Sequence, residues 1–540
     1  MLTRALRFLR PSHQHGAYSA TLLMMTAIML SRVIGYVREA YIAWAFGAGP
    51  QTDAYVAGFT IPDWLNYLVA GGTASITFVA IYTRFLAQNK EEEAQKTFSI
   101  IITVMTVVLG SGTVLAEIFT PEIERHLVKN FTPEQLELCV HLTRILLPAQ
   151  LFFYVGGVVS AVLLSHRLFL LPAFGPVLYN VAIIAGGLLF SHRIGISSLA
   201  YGALMGSFLG PFLVNAIGAA SVGTGYRISF DLRNPAFREW VRLTIPLMVG
   251  VSLVTADDWI LRYFASGSVG DITRLNYAKR LFSVPIAVLG QAIGQASLPF
   301  FARLFGEKRM QEFAQLVNSA IYRITASSLL ASALMATCAL PLVDLVYRRG
   351  RFQFSDTQTT AVYFWWFSLS LAFWSAQALY SRAFYAAGDT LTPMVASSLI
   401  TLASIPIYGA LYRTFSTVGL AIASDMGIVA NTVAIAILLD RRKLVRLAQF
   451  PWRELGKVAF IAVFAGILSF RVAQGMIAAA SRTRDLYALI LITFTWAAAV
   501  AAGLWLARSQ LLSDLRRRKG TIYPRLAERQ AEDLSRGVEP

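Results

Sequence analysis

Apolar runs of 18 or more residues recur along nearly the whole chain, separated by short polar connectors. A run of that length suits a helix crossing a hydrocarbon layer about 30 Å thick. The pattern predicts spans over about 18–47, 54–84, 98–118, 139–163, 172–190, 197–218, 240–265, 272–303, 315–345, 357–386, 392–411, 416–438, 455–478 and 485–507. The expected fold class is an all-α polytopic membrane protein with about 14 transmembrane helices. No connector is long enough for a folded soluble domain. Residues 1–17, with Arg4, Arg7 and Arg10, read as a basic amphipathic segment at the cytoplasmic surface. The run from Ala17 starts like a signal peptide, but it passes through charged residues without a small-residue cleavage site and reads as a retained first helix. The polar tail, 508–540, is expected to be disordered.

Composition agrees with the pattern: 56% of residues are hydrophobic and 14% charged, against roughly 25% charged in soluble proteins. The formal net charge of +17 does not point to nucleic acid, because the basic residues concentrate in alternate loops. Loops 222–242 and 439–457 and the tail with Arg516, Arg517, Arg518 and Lys519 are basic, and loop 117–138 is net acidic. An even number of spans then makes both termini cytoplasmic. One basic loop, Tyr347-Arg-Arg-Gly-Arg-Phe352, lands on the opposite side against this rule. Cys139 and Cys338 give neither a disulfide framework nor a metal spacing, and the six histidines are scattered.

An internal repeat runs through the spans. Phe46-Gly-Ala-Gly leads to Asp53 and a long apolar helix; Phe264-Ala-Ser-Gly leads to Asp271 and another. The two aspartates stand 218 positions apart. The expected organisation is an N-lobe over 18–220 (helices 1–6), a C-lobe over 238–438 (helices 7–12), and an added pair over 455–507 (helices 13–14). Parallel repeats of this kind belong to transporters, with the substrate site between the halves.

Charges within spans are costly and mark function or pairing. Arg32 lies about a dozen residues into the first span, roughly 18 Å deep. Arg38 follows about 120° around the helix, and Glu39 lies about 10 Å along the axis from Arg32. Gly35 leaves room for a close neighbour. Arg280 lies inside helix 8, and Asp53 opens helix 2. One reading is a cationic cavity for an anionic substrate, since the guanidinium fork matches phosphate oxygens. The other is structural pairing among Arg32, Arg38, Glu39 and Asp53. Asp257 and Asp258 either carry a coupling cation or pair with Arg262.

Prolines at 62, 148, 172, 246, 285 and 393 start or kink helices, and Tyr363-Phe-Trp-Trp-Phe367 reads as an interfacial aromatic belt. No phosphate-binding loop, nucleophile elbow or metal cluster is present in the sequence. A non-enzymatic transporter without cofactor or catalytic residue is expected, driven by an ion gradient or the membrane potential. A membrane glycosyltransferase would want a paired-acid arrangement in an external loop. A cation-drug antiporter would want a cavity rich in acids.

Ser31-Arg-Val-Ile-Gly-Tyr-Val-Arg-Glu39, Phe46-Gly-Ala-Gly49, Thr52-Asp-Ala-Tyr55 and Ile61-Pro62 resemble the opening of the MurJ (MviN) lipid II flippases. Ala265–Val269, Ala278-Lys-Arg-Leu281, Arg349-Gly-Arg-Phe352 and Arg382–Pro393 follow in the family's order. The resemblance implies two lobes plus two helices, in the superfamily of multidrug and oligosaccharidyl-lipid exporters. It implies movement of the peptidoglycan precursor lipid II across the bacterial inner membrane by alternating access, in support of cell-wall synthesis and cell shape. It implies as partners the lipid-linked diphosphate sugar, the bilayer and other cell-wall synthesis proteins. The family's cavity residues fall on Arg32, Arg38, Asp53 and Arg280, with helices 13–14 as a groove for the polyprenyl tail.

The sequence departs from the family at several points. Thr60 stands where a basic residue is usual, Asn66 where a cavity arginine is usual, and Ser283 where an acid is usual. Asp63, Tyr67, Gly71 and Gly72 also differ from the pattern, and Met394–Leu411 lacks the Asn or Asp of a cation site. The alternatives that follow are an exporter of another polyprenyl-diphosphate oligosaccharide and a non-transporting scaffold for cell-wall proteins.

Overall fold

The computed structural model describes residues 17–66, 73–166, 168–254, 256–477 and 482–511. The N-terminal basic segment, most of the tail, and Tyr67, Gly71 and Gly72 lie outside them. Every regular element among the described residues is helical. Among the described residues, eight helices are individually long and apolar enough to cross a membrane. The all-helical membrane architecture expected from the apolar pattern is therefore what folds.

Local chemistry sets the helix ends. Thr132 caps the helix Pro133–Leu146, exchanging hydrogen bonds with Gln135 while Pro133 presets the first turn. Asn234 accepts from the Phe237 amide at 3.0 Å before Pro235–Val254. Glu91–Leu127 carries Glu91, Glu92 and Glu93 in its first turn and Arg125 and His126 in its last, matching the helix dipole. The second expected span is broken: Pro50–Ala57 and Thr60–Leu65 are separate pieces before Thr73–Ala87. Pro62 falls in the second of these short pieces.

Backbones approach closely where glycines recur. A Cβ on Gly202 would lie 2.8 Å from the Ala182 carbonyl oxygen, and one on Gly206 would lie 2.9 Å from that of Tyr179. Leu170–Ile194 and Ser197–Ser207 therefore form a tight hairpin of small residues. Its turn is Gly195, at φ 58° and ψ −139°. Ser416, 221 positions later, adopts φ 53° and ψ −142° and reverses the chain within Leu391–Arg441. The matching geometry fits an internal repeat, but a side-chain-bearing residue stands at the second turn, where glycine is at ease.

The helices pack into two compact units. The first comprises the described residues of Met1–Tyr277, Val346–Thr357 and Ser397–Leu420. One of its cores is built on Phe78, Tyr82, Phe98, Tyr154, Val158 and Trp240. The second comprises those of Ala278–Leu345, Gln358–Ala396 and Ala421–Pro540. Its core is built on Phe301, Phe313, Ile321, Tyr380, Phe384 and Val458. Within it, Trp452–Ile477 and Arg482–Leu506 meet through Ala473, Ala488 and Ile492, with Cys338 against them. Both cysteines are buried and free.

A turn in the second unit gives a pH prediction. Asp389 follows Gly388, which sits at φ 78°. Its carboxylate accepts from the Thr392 amide at 2.9 Å and from the Arg442 guanidinium, which also donates to Thr392 Oγ1 at 2.9 Å. Partial burial opposes ionisation, but the Thr392 amide and hydroxyl and the Arg442 charge together hold this carboxyl below the usual range. A depressed folded-state pKa stabilises above the unfolded value of about 3.9. That stabilisation fades as pH falls through the depressed value. Asp389→Asn should therefore lower the thermal unfolding midpoint of the detergent-solubilised protein at pH 7, and the difference from the parent should shrink as pH falls below the unfolded value of about 3.9.

Candidate functional site

The first helix, Ala17–Phe46, carries the central charges. Arg32 is exposed on it, Arg38 half-buried and Glu39 buried. Arg38 donates to the Glu39 carboxylate and, through Nη1, to Asn180 Oδ1 at 2.9 Å. Asn180 in turn donates to the Pro176 carbonyl at 2.9 Å, which fixes the orientation of its amide. Gly35 faces the same amide, but a Cβ there would meet it at an ordinary 3.9 Å, so the contact does not depend on glycine. The Arg38 Nε–H is buried with no partner among the described residues. The guanidinium is thus clamped on both terminal nitrogens and retains a donor on the third.

Asp53 does not pair with these arginines. Its carboxylate caps the helix Asp271–Pro285, accepting from the Gly270 amide, the Thr273 amide at 2.9 Å and Thr273 Oγ1 at 2.6 Å. Three converging donors at a helix N-terminus favour an anion there. Gly270, at φ 83°, makes the approach possible, since a Cβ would lie 2.9 Å from the Ala48 carbonyl oxygen. The two glycine-containing motifs of the repeat are therefore pressed together. Asp271, the counterpart of Asp53, accepts from Arg274 at 2.8 Å and from Thr417 Oγ1 at 2.6 Å, next to the strained Ser416 turn.

Asp257 and Asp258 open the short helix Ala256–Ala265. Tyr408 donates to Asp257, and Asp258 is exposed. Arg262 reaches elsewhere: it donates to Thr60 Oγ1 at 2.9 Å and lies 3.5 Å from the Asp63 carboxylate. Its guanidinium thus occupies the neighbourhood of Thr60, where the family pattern has a basic side chain. No separation of residues in sequence could reveal that substitution by a distant helix.

In the second unit, Arg280 is exposed on the helix Asp271–Pro285. The Ser283 hydroxyl donates back to the Arg280 carbonyl at 2.7 Å. From Ile286 to Ala292 the same rod becomes a π-helix directly after Pro285. A π-helical turn rotates the residues beyond it relative to an α-helix, and such turns recur at functional sites. Among the described residues no cluster of His, Cys, Asp and Glu has a metal-binding arrangement.

Asn180 and Thr273 were not among the residues selected from sequence, and Arg262 was named there only as a candidate partner of Asp257 and Asp258. Asn180 carried a readable signal, being a polar residue within an apolar run four positions after Pro176. Thr273 carried none, because its partner Asp53 lies 220 positions away, and the contact of Arg262 with Thr60, 202 positions away, was equally illegible.

Comparison with known proteins places this arrangement in a family. The family model described as lipid II flippase MurJ matches residues 42–481. A lipid II flippase MurJ of Burkholderia cenocepacia is 28% identical over 448 residues, covering 79% of this chain and 84% of that protein. A probable lipid II flippase MurJ of Rhizobium tropici is 26% identical over 426 residues, covering 77% and 79%. Among solved structures, a lipid II flippase MurJ in an inward closed conformation superposes with TM-score 0.75 at 20% identity, covering 89% of this chain and 99% of that one. An inward-facing MATE transporter of the MOP superfamily gives TM-score 0.62 at 16% identity, covering 78% and 98%. The chain has the fold of these transporters and is a multi-pass protein of the bacterial inner membrane, and with the family model spanning most of its length it belongs to the lipid II flippase MurJ family.

Proposed function

We propose that this chain is a flippase that moves the lipid-linked peptidoglycan precursor, lipid II, from the cytoplasmic to the outer leaflet by alternating access. The observation that carries this reading is Arg38, a guanidinium in an apolar helix, clamped by Asn180 and Glu39 while its Nε–H is left without a partner among the described residues. Such a group is suited to a diphosphate oxygen. Arg32 and Arg280 add exposed guanidinium groups within spans. Asp53 supports alternating access from another direction, because its three hydrogen bonds form a latch that can open as a unit.

In this reading the chain performs no bond chemistry, both termini are cytoplasmic, and helices 13–14 take the polyprenyl tail. Asp257 couples to a proton or cation through its hydrogen bond with Tyr408. The second reading, an exporter of another polyprenyl-diphosphate oligosaccharide, is favoured by one feature. The guanidinium near Thr60 comes from Arg262 and faces Asp63, and this alters the charge pattern that meets the sugar. The test is a leaflet-translocation assay with purified protein in liposomes. Lipid II should cross at a protein-dependent rate, faster than a polyprenyl-diphosphate oligosaccharide of unrelated sugar composition. Equal or slower movement of lipid II would favour the second reading, and no movement of either would overturn both.

A further inference from the structure

The basic loop that broke the charge rule is built more firmly than a surface loop needs to be. Val346–Thr357 belongs to the same compact unit as the first helix. The Arg351 amide donates to the Trp44 carbonyl at 3.0 Å. Gly350, at φ 55°, lies so close to Trp44 that a Cβ would overlap its carbonyl oxygen. Gly47, at φ 71°, returns the contact, since a Cβ there would lie 2.8 Å from the Arg351 carbonyl oxygen. Below the loop, Tyr347 stacks on Tyr277 at 4.7 Å and Phe352 meets Tyr277 at 5.8 Å. The adjoining acid is occupied: Asp356 accepts from Arg274 at 2.7 Å and from the Gln353 amide at 3.0 Å.

This frame holds Arg349 and Arg351 outward. Both are exposed, and neither side chain has a partner among the described residues. Arg348 lies over the Phe354 ring at 5.7 Å. Trp44, in contact with Gly350, is itself 48% exposed. A tryptophan at the end of a spanning helix marks the level of the lipid headgroups. Arginines fixed at that level, without a neighbouring carboxylate to neutralise them, meet phosphate in the leaflet beside them.

We infer that Arg349 and Arg351, held against Trp44 by Gly350 and Gly47, form a binding site for the phosphate of a lipid headgroup. The site is separate from the intramembrane arginines and does not depend on what those bind. Two lipids offer this chemistry: an anionic phospholipid, and a polyprenyl diphosphate arriving on this side of the membrane. Both would be held by charge-assisted bonds from the two guanidinium groups.

The test uses the full chain in liposomes with photoactivatable phosphatidylglycerol or phosphatidylcholine, mapping adducts by mass spectrometry. The phosphatidylglycerol probe should label Trp44 and residues 347–352 preferentially. The Arg349→Gln, Arg351→Gln double variant should lose about tenfold of that labelling, while labelling elsewhere on the protein persists. Because both side chains are exposed and unpaired, the variant's thermal midpoint should match the parent's. Competition with unlabelled lipids identifies the occupant. Displacement by undecaprenyl diphosphate at a lower mole fraction than phosphatidylglycerol assigns the site to a polyprenyl diphosphate, and equal potency assigns it to anionic lipid in general. Equal labelling by the two probes, or labelling unchanged in the double variant, overturns the proposal. An Arg32→Ala protein that no longer translocates should still label here, which separates failure of this site from failure of the flippase reading.

Discussion

Asp53→Ala should destabilise the protein by roughly 3–5 kcal/mol and abolish rescue of a strain depleted of its own flippase. The size follows from what the carboxylate leaves behind. Asp53 is 1% exposed, and its loss strands the Gly270 and Thr273 amides and the Thr273 hydroxyl. A buried donor without an acceptor costs about 1–3 kcal/mol. The helix Asp271–Pro285 also loses the negative charge facing its N-terminus. Asp53→Asn separates the two contributions. Its amide keeps one acceptor but turns a second toward the Gly270 amide as a donor, so the latch should weaken while most packing remains. Measuring thermal midpoint and rescue together is decisive. Near-parental stability with lost rescue in Asp53→Asn supports a latch that must close during transport. Full rescue would remove Asp53 from the mechanism.

Arg32→Ala and Arg280→Ala should each abolish rescue with little change in stability. Both side chains are exposed, so their removal disturbs less packing than a loss at Asp53. A charge-assisted hydrogen bond contributes about 1.5–3 kcal/mol, so each loss should weaken headgroup binding roughly tenfold to a hundredfold. Lysine substitutions sharpen the test. Lysine keeps the charge but not the planar fork, so Arg32→Lys and Arg280→Lys should recover rescue only in part if a diphosphate is held bidentately. Full rescue by both alanine variants would show that the cationic reading of the interior is wrong, whatever the stability data say.

The sequence by itself determined the solvent this protein lives in, the helical class and its membership of the family. Burial in lipid demands internally satisfied backbone and long apolar runs, and both are local properties that a one-dimensional pattern records. Arg32, Arg38 and Arg280 stood out for the same reason, because a charge in an apolar run is visible without knowledge of its neighbours. What those charges do was decided by tertiary structure. Glu39 lies beside Arg38 in the chain, yet only the folded helices show Asn180 completing the clamp from 142 positions away. Asp53 read as a cavity residue, and in the fold its carboxylate caps a helix start. Pairing with Arg262 was one of two readings of Asp257 and Asp258, the other being a coupling cation, and in the fold Arg262 turns to Thr60 and Asp63. The basic loop Tyr347–Phe352 read as an exception to a rule of charge placement. Its meaning depends on Trp44 and Gly47, some 300 positions earlier. Hydrogen bonds and close backbone contacts are set by where helices cross, and helix crossing depends on side-chain shape along whole faces rather than on residue type at one position.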